Sequence, residues 1–156
     1  MPLNIIDRAD AFMFKTYRRS PITLIRGDGC RVWDENGKEY IDFVGGIAVC
    51  NLGHSSPIVS KVLCEQSKKL IHVSNLFYTQ PQTELAQALV ENSFADRVFF
   101  CNSGAEANEA AIKLARRYSK ERLGPDKHVI ITMDNSFHGR TIATLSATGR
   151  VAIVMP

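Results

Sequence analysis

The sequence feature that most constrains the fold is an abrupt change from apolar to polar residues near residue 100. An apolar run, Val98–Phe100, stops at Asn102-Ser103-Gly104, and a helix-like pattern follows at once. One face of this helix is marked by small and apolar residues at spacings of four, three and four: Ala107, Ala111, Leu114 and Tyr118. The pattern therefore predicts a strand, a tight turn and a helix that begins at Ala105.

The turn before this helix has the composition of a helix cap. Ser103 and Glu106 fit the S-x-x-E capping box. The first N–H groups of a helix have no partner inside it, and the helix dipole leaves that end partly positive. Because Gly104 has no side chain and Ala105 only a small one, a phosphate can approach the backbone closely here. Helix capping alone also explains Ser103, so this stretch by itself leaves both interpretations open.

A second strand and polar turn follow the helix. The run His128–Met133 is β-branched and apolar, and it ends in Asp134-Asn135-Ser136-Phe137-His138-Gly139-Arg140-Thr141. Two successive units of this kind place both turns at the same edge of a parallel sheet, where ligands of open α/β sheets bind. A short helix is expected after it, from Ile142 to Thr148, ended by Gly149.

The first half of the chain has a different pattern of short strands, turns and helices. Three short strands, Leu24–Arg26, Arg31–Asp34 and Glu39–Phe43, are predicted to form an antiparallel meander, with Asn-Gly in its second turn. Helices are predicted at Asp10–Tyr17, after Ser56-Pro57 and at Pro81–Asn92, and an extended segment at Val73–Tyr78. Two isolated features in this half have structural interpretations: we expect tight packing at Gly45, and a loop role for His54, which has no acidic partner nearby in sequence.

Composition and charge exclude several classes of protein. The chain has 156 residues and a net charge of +3. Its basic residues are scattered, with no basic stripe of the kind that binds nucleic acid and no polybasic patch of the kind that binds membranes. No apolar stretch is long enough for a bilayer, and Met1–Asp10 has no signal-peptide core, so a cytoplasmic location is expected. No cysteine pair or histidine has zinc-ligand spacing, so we expect no metal site and four reduced thiols: Cys30, Cys50, Cys64 and Cys101.

The two polar turns together resemble those of the class III, ornithine-type aminotransferases, which use pyridoxal 5′-phosphate. The resemblance extends along nearly the whole chain to about Gly149. It implies an α/β fold of type I, like that of aspartate aminotransferase, and a homodimer. It also implies two domains: residues 1–95 form an N-terminal segment and small-domain meander, and residues 96–156 start the large cofactor domain, which is incomplete.

The resemblance also implies roles for individual residues. The expected cofactor contacts are Ser103, Gly104, Ala105, Phe137 and His138. The expected substrate contacts are Arg140, Asn75 and Tyr78. Phe137 offers a flat apolar face to the cofactor ring, and the Arg140 guanidinium can hold a carboxylate with two parallel bonds. Both residues also have an ordinary interpretation: Phe137 as a core residue and Arg140 as a surface arginine. His138 fits the role of a turn residue better than that of a catalytic base.

No catalytic residue is expected in this chain. The resemblance places the Schiff-base lysine, and the acid that pairs with the pyridine nitrogen, beyond Pro156, because family members are more than twice as long. After Gly149 the sequence Arg150–Pro156 departs from the family pattern, and we expect a truncation or a shifted reading frame.

Three classes of function stay open: part of an aminotransferase acting on an amino donor and 2-oxoglutarate, a non-catalytic product that binds pyridoxal phosphate or a partner chain, and a nucleotide-binding module. The third is disfavoured because neither G-x-G-x-x-G nor G-x-x-x-x-G-K-[ST] occurs.

Overall fold

The computed structural model describes residues 4–149. The chain divides into two compact units, Met1–Phe77 (unit 1) and Tyr78–Pro156 (unit 2). In order, the elements of unit 1 are α1 (Ile5–Phe12), β1 (Leu24–Asp28), β2 (Arg31–Asp34), β3 (Glu39–Ile41), the single turn α2 (Gly45–Ala48), α3 (Pro57–Ser67) and a 3₁₀ turn (Ser74–Leu76). Those of unit 2 are α4 (Gln80–Glu91), α5 (Gly104–Arg122) and α6 (Ile142–Ser146).

The predicted meander is confirmed. The three strands of unit 1 pair antiparallel in the order β1-β2-β3, so β2 is central. Val32 of β2 pairs with Gly27 on one side and Tyr40 on the other, and it is buried. Asp34 ends β2, and its carboxylate accepts hydrogen bonds from Lys38 N at 2.9 Å and from Tyr40 Oη at 2.8 Å. The hydrogen bond from Tyr40 is the main reason that the pKa of Asp34 lies below its ordinary value.

Other elements of unit 1 correct the sequence-based predictions. The first helix is Ile5–Phe12 and not Asp10–Tyr17, because Asn4 Oδ1 accepts a hydrogen bond from Asp7 N at 2.8 Å and starts the helix earlier. The helix at Pro57 is confirmed, although the Ser56 side chain makes no cap hydrogen bond. The segment after Val73 is not extended throughout, since a 3₁₀ turn occupies its centre.

Two isolated residues of unit 1 also differ from expectation. The expected tight packing at Gly45 is wrong, since its Cβ would meet nothing within 4 Å and its φ of +54° explains the glycine. The expectation of a loop histidine without an acidic partner is wrong as to the partner, because Asp42 Oδ2 lies 2.7 Å from His54 Nε2.

The helices of unit 2 lie close to their predicted positions. The helix predicted at Pro81–Asn92 is α4, and α5 begins at Gly104, one residue before the predicted start. The last helix ends at Ser146 and not at Gly149. Gly149 is not a left-handed cap, and instead its carbonyl accepts a hydrogen bond from Asn135 N at 3.3 Å.

The strands predicted in unit 2 do not form within the described part of the chain. Neither Val98–Phe100 nor His128–Met133 pairs with another segment, and side chains in the second run such as Val129 and Ile131 are mostly exposed. A strand requires hydrogen bonds to a neighbour, so an apolar β-branched sequence is not sufficient to make one. The parallel sheet expected at this edge is therefore absent from residues 4–149.

Apolar side chains are exposed over much of the described chain. Among residues 4–149, Val32 is the one apolar residue classed as buried, and the buried polar side chains are Asp34, Thr144 and Thr148. A domain of this length normally buries most of the surface that its unfolded chain exposes. Much of the apolar surface of the described residues is thus exposed. No helix between residues 4 and 149 has both the length and the apolar character needed to cross a bilayer.

Candidate functional site

The start of α5 is capped as the sequence predicts. Ser103 is extended, with φ −155° and ψ 160°, and its Oγ accepts a hydrogen bond from Glu106 N at 3.2 Å. The first helical hydrogen bond runs from Ala107 N to Ser103 O at 3.0 Å. Ser103 is therefore the N-cap residue, and it fixes the direction in which the first N–H groups of α5 point.

The reciprocal half of the capping box differs from the prediction. Glu106 Oε2 accepts a hydrogen bond from Asn102 N at 2.7 Å, one residue before the N-cap, and a second from Asn102 Nδ2 at 3.1 Å. Glu106 thus closes the segment Asn102–Ala105, here called the cap segment, into a tight loop. Within residues 4–149, no hydrogen bond engages the backbone N–H groups of Gly104 and Ala105.

The cap segment is open at Gly104. A Cβ placed on this glycine would meet nothing within 4 Å, and its φ is not positive. The turn therefore does not need glycine for its backbone conformation, and glycine instead leaves the adjoining N–H groups accessible. Two unbonded N–H groups at the positive end of a 19-residue helix form a suitable environment for an anion.

The loop Asp134–Thr141, here called the 134–141 loop, lies against the first two turns of α5. Asn108 Nδ2 donates a hydrogen bond to His138 O at 2.7 Å, in a partly buried position. Thr141 Oγ1 donates to Glu109 Oε1 at 2.6 Å. These two bonds join residues 30 and 32 positions apart in the sequence. They bring the loop to the end of α5 that carries the cap segment.

At Gly139 the backbone of the loop packs directly against the first turn of α5. This glycine is buried, its φ is +128°, and an added Cβ would lie 2.7 Å from Ala105 Cβ and 2.8 Å from Thr144 Oγ1. A side chain fits neither that conformation nor that space. Gly139 and Ala105 are thus both small because two backbones meet there.

Two buried threonines, Thr144 in α6 and Thr148 just after it, also hold the loop. Thr144 is fully buried, and its Oγ1 accepts a hydrogen bond from Thr141 N at 3.0 Å in a capping box. Thr148 Oγ1 donates to Thr144 O at 2.8 Å and accepts from His138 N at 3.4 Å. The 134–141 loop is therefore held by α5, by Thr144 of α6 and by Thr148, which follows α6.

The structure brings most of the predicted cofactor residues to one place. Ser103, Gly104 and Ala105 form the cap segment's end, and Phe137, His138 and Arg140 flank the Gly139 that contacts it. Phe137 is 52% exposed, Arg140 is exposed, and His138 is half-buried with its carbonyl bonded to Asn108. Tyr78 and Asn75 are exposed, and their contact with substrate stays a prediction.

Sequence reasoning missed the residues that assemble this arrangement: Asn108, Glu109, Thr141, Thr144 and Thr148. Thr141 ends a polar turn before an apolar run, which was a usable N-cap signal. The capping box that it forms with Thr144 was not readable, because the sequence signature of a box has Glu or Gln in place of Thr144. Nothing in the sequence pairs Asn108 with His138. Among residues 4–149, no group of three or more His, Cys, Asp or Glu side chains is arranged to hold a metal ion.

Comparisons with known proteins agree on one family. The family model described as aminotransferase class-III matches residues 12–155. Acetylornithine aminotransferase from Nostoc sp. is 58% identical over 144 residues, which is 92% of this chain and 34% of that protein. The enzyme of the same name from Pseudomonas putida is 55% identical over 90% of this chain and 35% of its own length.

Solved structures of similar proteins match the backbone as well. The ornithine aminotransferase of Toxoplasma gondii superposes with a TM-score of 0.90 at 32% identity, over 96% of this chain and 36% of that one. The N-acetylornithine aminotransferase of Stenotrophomonas maltophilia gives a TM-score of 0.77 at 47% identity, over 86% of this chain and 36% of its own. This chain spans about a third of the length of the relatives it matches.

Proposed function

The chain belongs to the class-III aminotransferases, and we propose that it forms the N-terminal part of the cofactor site of an acetylornithine aminotransferase. Its fold is that of the pyridoxal-phosphate-dependent transferases of fold type I. The proposed whole enzyme converts N2-acetylornithine and 2-oxoglutarate to N-acetylglutamate 5-semialdehyde and glutamate, a step of arginine biosynthesis. The amino donor is proposed because the relatives at 50–58% identity carry the name acetylornithine aminotransferase.

One observation carries the proposal: the 134–141 loop is docked on the end of α5 whose first N–H groups are unbonded. The Gly139–Ala105 contact and the Asn108–His138 hydrogen bond place residues of two sequence-distant turns around one open helix N-terminus. A ligand with a phosphate at one end and a flat ring at the other fits such a pair of turns. Pyridoxal 5′-phosphate, which the class-III family uses, has that shape.

The residues present fit the phosphate end of this cofactor. The N–H groups of Gly104 and Ala105 are free to donate to phosphate oxygens, and Gly104 leaves room for them. Ser103 Oγ accepts from Glu106 N and still has its own O–H to donate. These donors would hold the cofactor by its phosphate and so fix where its ring lies. When bound, the cofactor supplies an electron sink that stabilises negative charge at the reacting carbon.

The 134–141 loop supplies the proposed groups toward the ring and the substrate. Phe137 is half exposed, so it has a free face on which a ring can stack. The His138 backbone is fixed by Asn108 and Thr148, so His138 orders the loop and is proposed to border the cofactor without acting as a base. Arg140 is proposed to hold the substrate carboxylate, with Asn75 and Tyr78 as further substrate contacts.

The lysine that completes catalysis is proposed to lie outside this chain, as is the acid for the pyridine nitrogen. The 156-residue chain is therefore proposed to be incompetent in transamination by itself. A homodimer and a cytoplasmic location remain proposals. Succinyldiaminopimelate, succinylornithine and ornithine are the alternative donors, and a non-catalytic product that binds the cofactor or a partner chain is the alternative role.

A binding titration tests the proposal. Pyridoxal phosphate and pyridoxal both react with surface lysines, but the 5′-hydroxyl of pyridoxal closes on its aldehyde as a hemiacetal, so the phosphate site is reported by the part of their difference that a change at Gly104 removes. We expect the 156-residue chain to bind the phosphate form at least about tenfold more tightly, because charge-assisted hydrogen bonds contribute about 1.5–3 kcal/mol each. Gly104→Val is expected to remove the difference, and Ala115→Val, at an exposed position on the same helix, to keep it. Equal binding of the two compounds by the unchanged chain refutes the phosphate site.

A further inference from the structure

Arg140 lies between two residues whose positions the structure fixes. On one side, Gly139 packs against Ala105 at the start of α5. On the other side, Thr141 is the N-cap residue of α6. The Arg140 side chain itself is exposed, and a long side chain has many rotamers, so the volume that its guanidinium reaches is set by the position of its backbone.

Glu109 joins the residue after Arg140 to α5. Its Oε1 accepts a hydrogen bond from Thr141 Oγ1 at 2.6 Å, a length typical of a hydroxyl that donates to a carboxylate. Such a bond is about twice as strong as one between neutral groups. The other hydrogen bonds of Thr141 within residues 4–149 run to Thr144 and Leu145, both in α6. Glu109 is therefore the hydrogen-bond partner that holds Thr141 to α5.

Neighbouring contacts do not replace this bond. The capping box joins Thr141 to Thr144 inside α6, and it leaves the start of α6 without a link to α5. The hydrogen bond that His138 O accepts from α5 holds the loop two residues before Arg140. The bond to Glu109 holds it one residue after Arg140. The backbone of the arginine is thus held from both sides only while Glu109 is present.

The hydroxyl hydrogens are assigned by the carboxylate. An ionised carboxylate can only accept, so Thr141 Oγ1 donates its single hydrogen to Glu109. The 2.8 Å contact between Thr141 Oγ1 and Thr144 Oγ1 must then be donated by Thr144, which is fully buried. The hydrogen bonds run in one direction, from the interior of unit 2 to Glu109, and bonds in such a chain strengthen one another.

We propose that Glu109 is a positioning residue, which holds Arg140 where its guanidinium can bind the α-carboxylate of the amino donor or of 2-oxoglutarate. An arginine on a fixed backbone loses less conformational freedom when it binds, so it binds more tightly. This inference rests on the proposed function, in which Arg140 holds the substrate carboxylate.

The charge of Glu109 acts in the opposite direction to its position. A negative side chain near a site for an anion repels the anion, so removal of the charge alone strengthens carboxylate binding. Removal of the hydrogen-bond acceptor weakens it if Glu109 positions Arg140. Glutamine separates the two effects, because it keeps an acceptor oxygen and has no charge.

A titration of the 156-residue chain with 2-oxoglutarate, followed at the Arg140 Nε–H resonance, tests the proposal. Glu109→Ala is expected to weaken the affinity about tenfold, the effect of losing one hydrogen bond to a charged group. Glu109→Gln is expected to bind at least as tightly as the unchanged chain. Glu121→Ala removes an exposed acid from the same helix, and as the matched control it is expected to leave the affinity unchanged.

A second ligand separates positioning from a general loss of structure. In Glu109→Ala, the amides of Gly104 and Ala105 are expected to respond to pyridoxal phosphate as in the unchanged chain, whereas partial unfolding of unit 2 would weaken both ligands together. The other partner of the bond gives an independent pair of variants. Thr141→Val, which has no hydroxyl, should weaken 2-oxoglutarate binding as Glu109→Ala does, and Thr141→Ser should keep it.

The outcomes distinguish this inference from the proposed function. If the Arg140 resonance of the unchanged chain does not respond to 2-oxoglutarate, the role proposed for Arg140 fails and the inference fails with it. If it responds, and Glu109→Ala binds 2-oxoglutarate as tightly as the unchanged chain or loses both ligands in parallel, the positioning role of Glu109 alone is overturned.

Discussion

Replacement of Gly139 by alanine should separate the 134–141 loop from α5. The new Cβ would lie 2.7 Å from Ala105 Cβ, 2.8 Å from Thr144 Oγ1 and 2.9 Å from Ala105 Cα, and one of these contacts is to backbone. The residue would also have to keep a φ of +128°. A non-glycine residue in such a region costs about 1–3 kcal/mol, and overpacking adds about 1–3 kcal/mol. The expected destabilisation of the docked loop is therefore about 2–6 kcal/mol.

Hydrogen exchange at the neighbouring helix measures this effect. Leu145 N and Ala147 N donate within α6, which rests on the same loop. A loss of 2 kcal/mol corresponds to about thirtyfold faster exchange, since each 1.4 kcal/mol is a factor of ten. Gly139→Ala should thus accelerate exchange of these amides at least about thirtyfold, where their opening reflects release of the loop.

Gly104→Ala is the matched control for this experiment. A Cβ at Gly104 meets nothing within 4 Å and needs no change of φ, so the free energy of unfolding should change by no more than about 0.5 kcal/mol. Exchange in α6 should then equal that of the unchanged chain. Equal exchange rates in Gly139→Ala and Gly104→Ala would refute the close contact between the loop and the helix.

Three further predictions follow from the same structure. Asn108→Ala leaves His138 O without its partly buried hydrogen-bond donor, so the free energy of unfolding of unit 2 should fall by about 1–2 kcal/mol. A titration should also show weaker binding of pyridoxal phosphate, and unchanged affinity would contradict the role of the loop. The hydrogen bond from His54, followed by those from Gly45 N and Val44 N, lowers the pKa of Asp42 below its ordinary 3.8. The lowered pKa therefore stabilises the meander at pH values above 3.8, and this stabilisation is lost as the pH falls through the lower folded-state pKa. Urea unfolding followed by Trp33 fluorescence should show a loss of stability in acid, and Asp42→Asn should reduce that loss. The purified chain should show no turnover with acetylornithine and 2-oxoglutarate, and measurable turnover would contradict the proposal that the catalytic lysine lies elsewhere.

The sequence predicted the elements whose causes are local. The helix at Gly104 was predictable because Ser103 caps it within three residues, and the meander because its turns contain glycine at suitable positions. The family resemblance, confirmed by the match over residues 12–155, directed attention to both polar turns. Local signals therefore located the helix start, and the family resemblance pointed to the candidate site, but neither predicted how the site is assembled.

The features that the sequence did not predict depend on distant partners. Strands at Val98–Phe100 and His128–Met133 need neighbours that the described chain does not supply. The hydrogen bond between Asp42 and His54 joins side chains twelve residues apart, so sequence spacing gave no sign of it. The docking of Gly139 on α5 depends on a contact with Ala105 that no spacing rule reveals.

The most direct test of the central claim is a residue-resolved titration of the 156-residue chain with pyridoxal phosphate. In ¹H–¹⁵N spectra, the amides of Gly104 and Ala105 should move most, together with those around Gly139, and pyridoxal without phosphate should leave the first two unchanged. The shift is expected because these N–H groups have no hydrogen-bond partner in residues 4–149 and lie at the positive end of α5. Shifts confined to lysine-bearing surfaces, with Gly104 and Ala105 unmoved, would contradict the account.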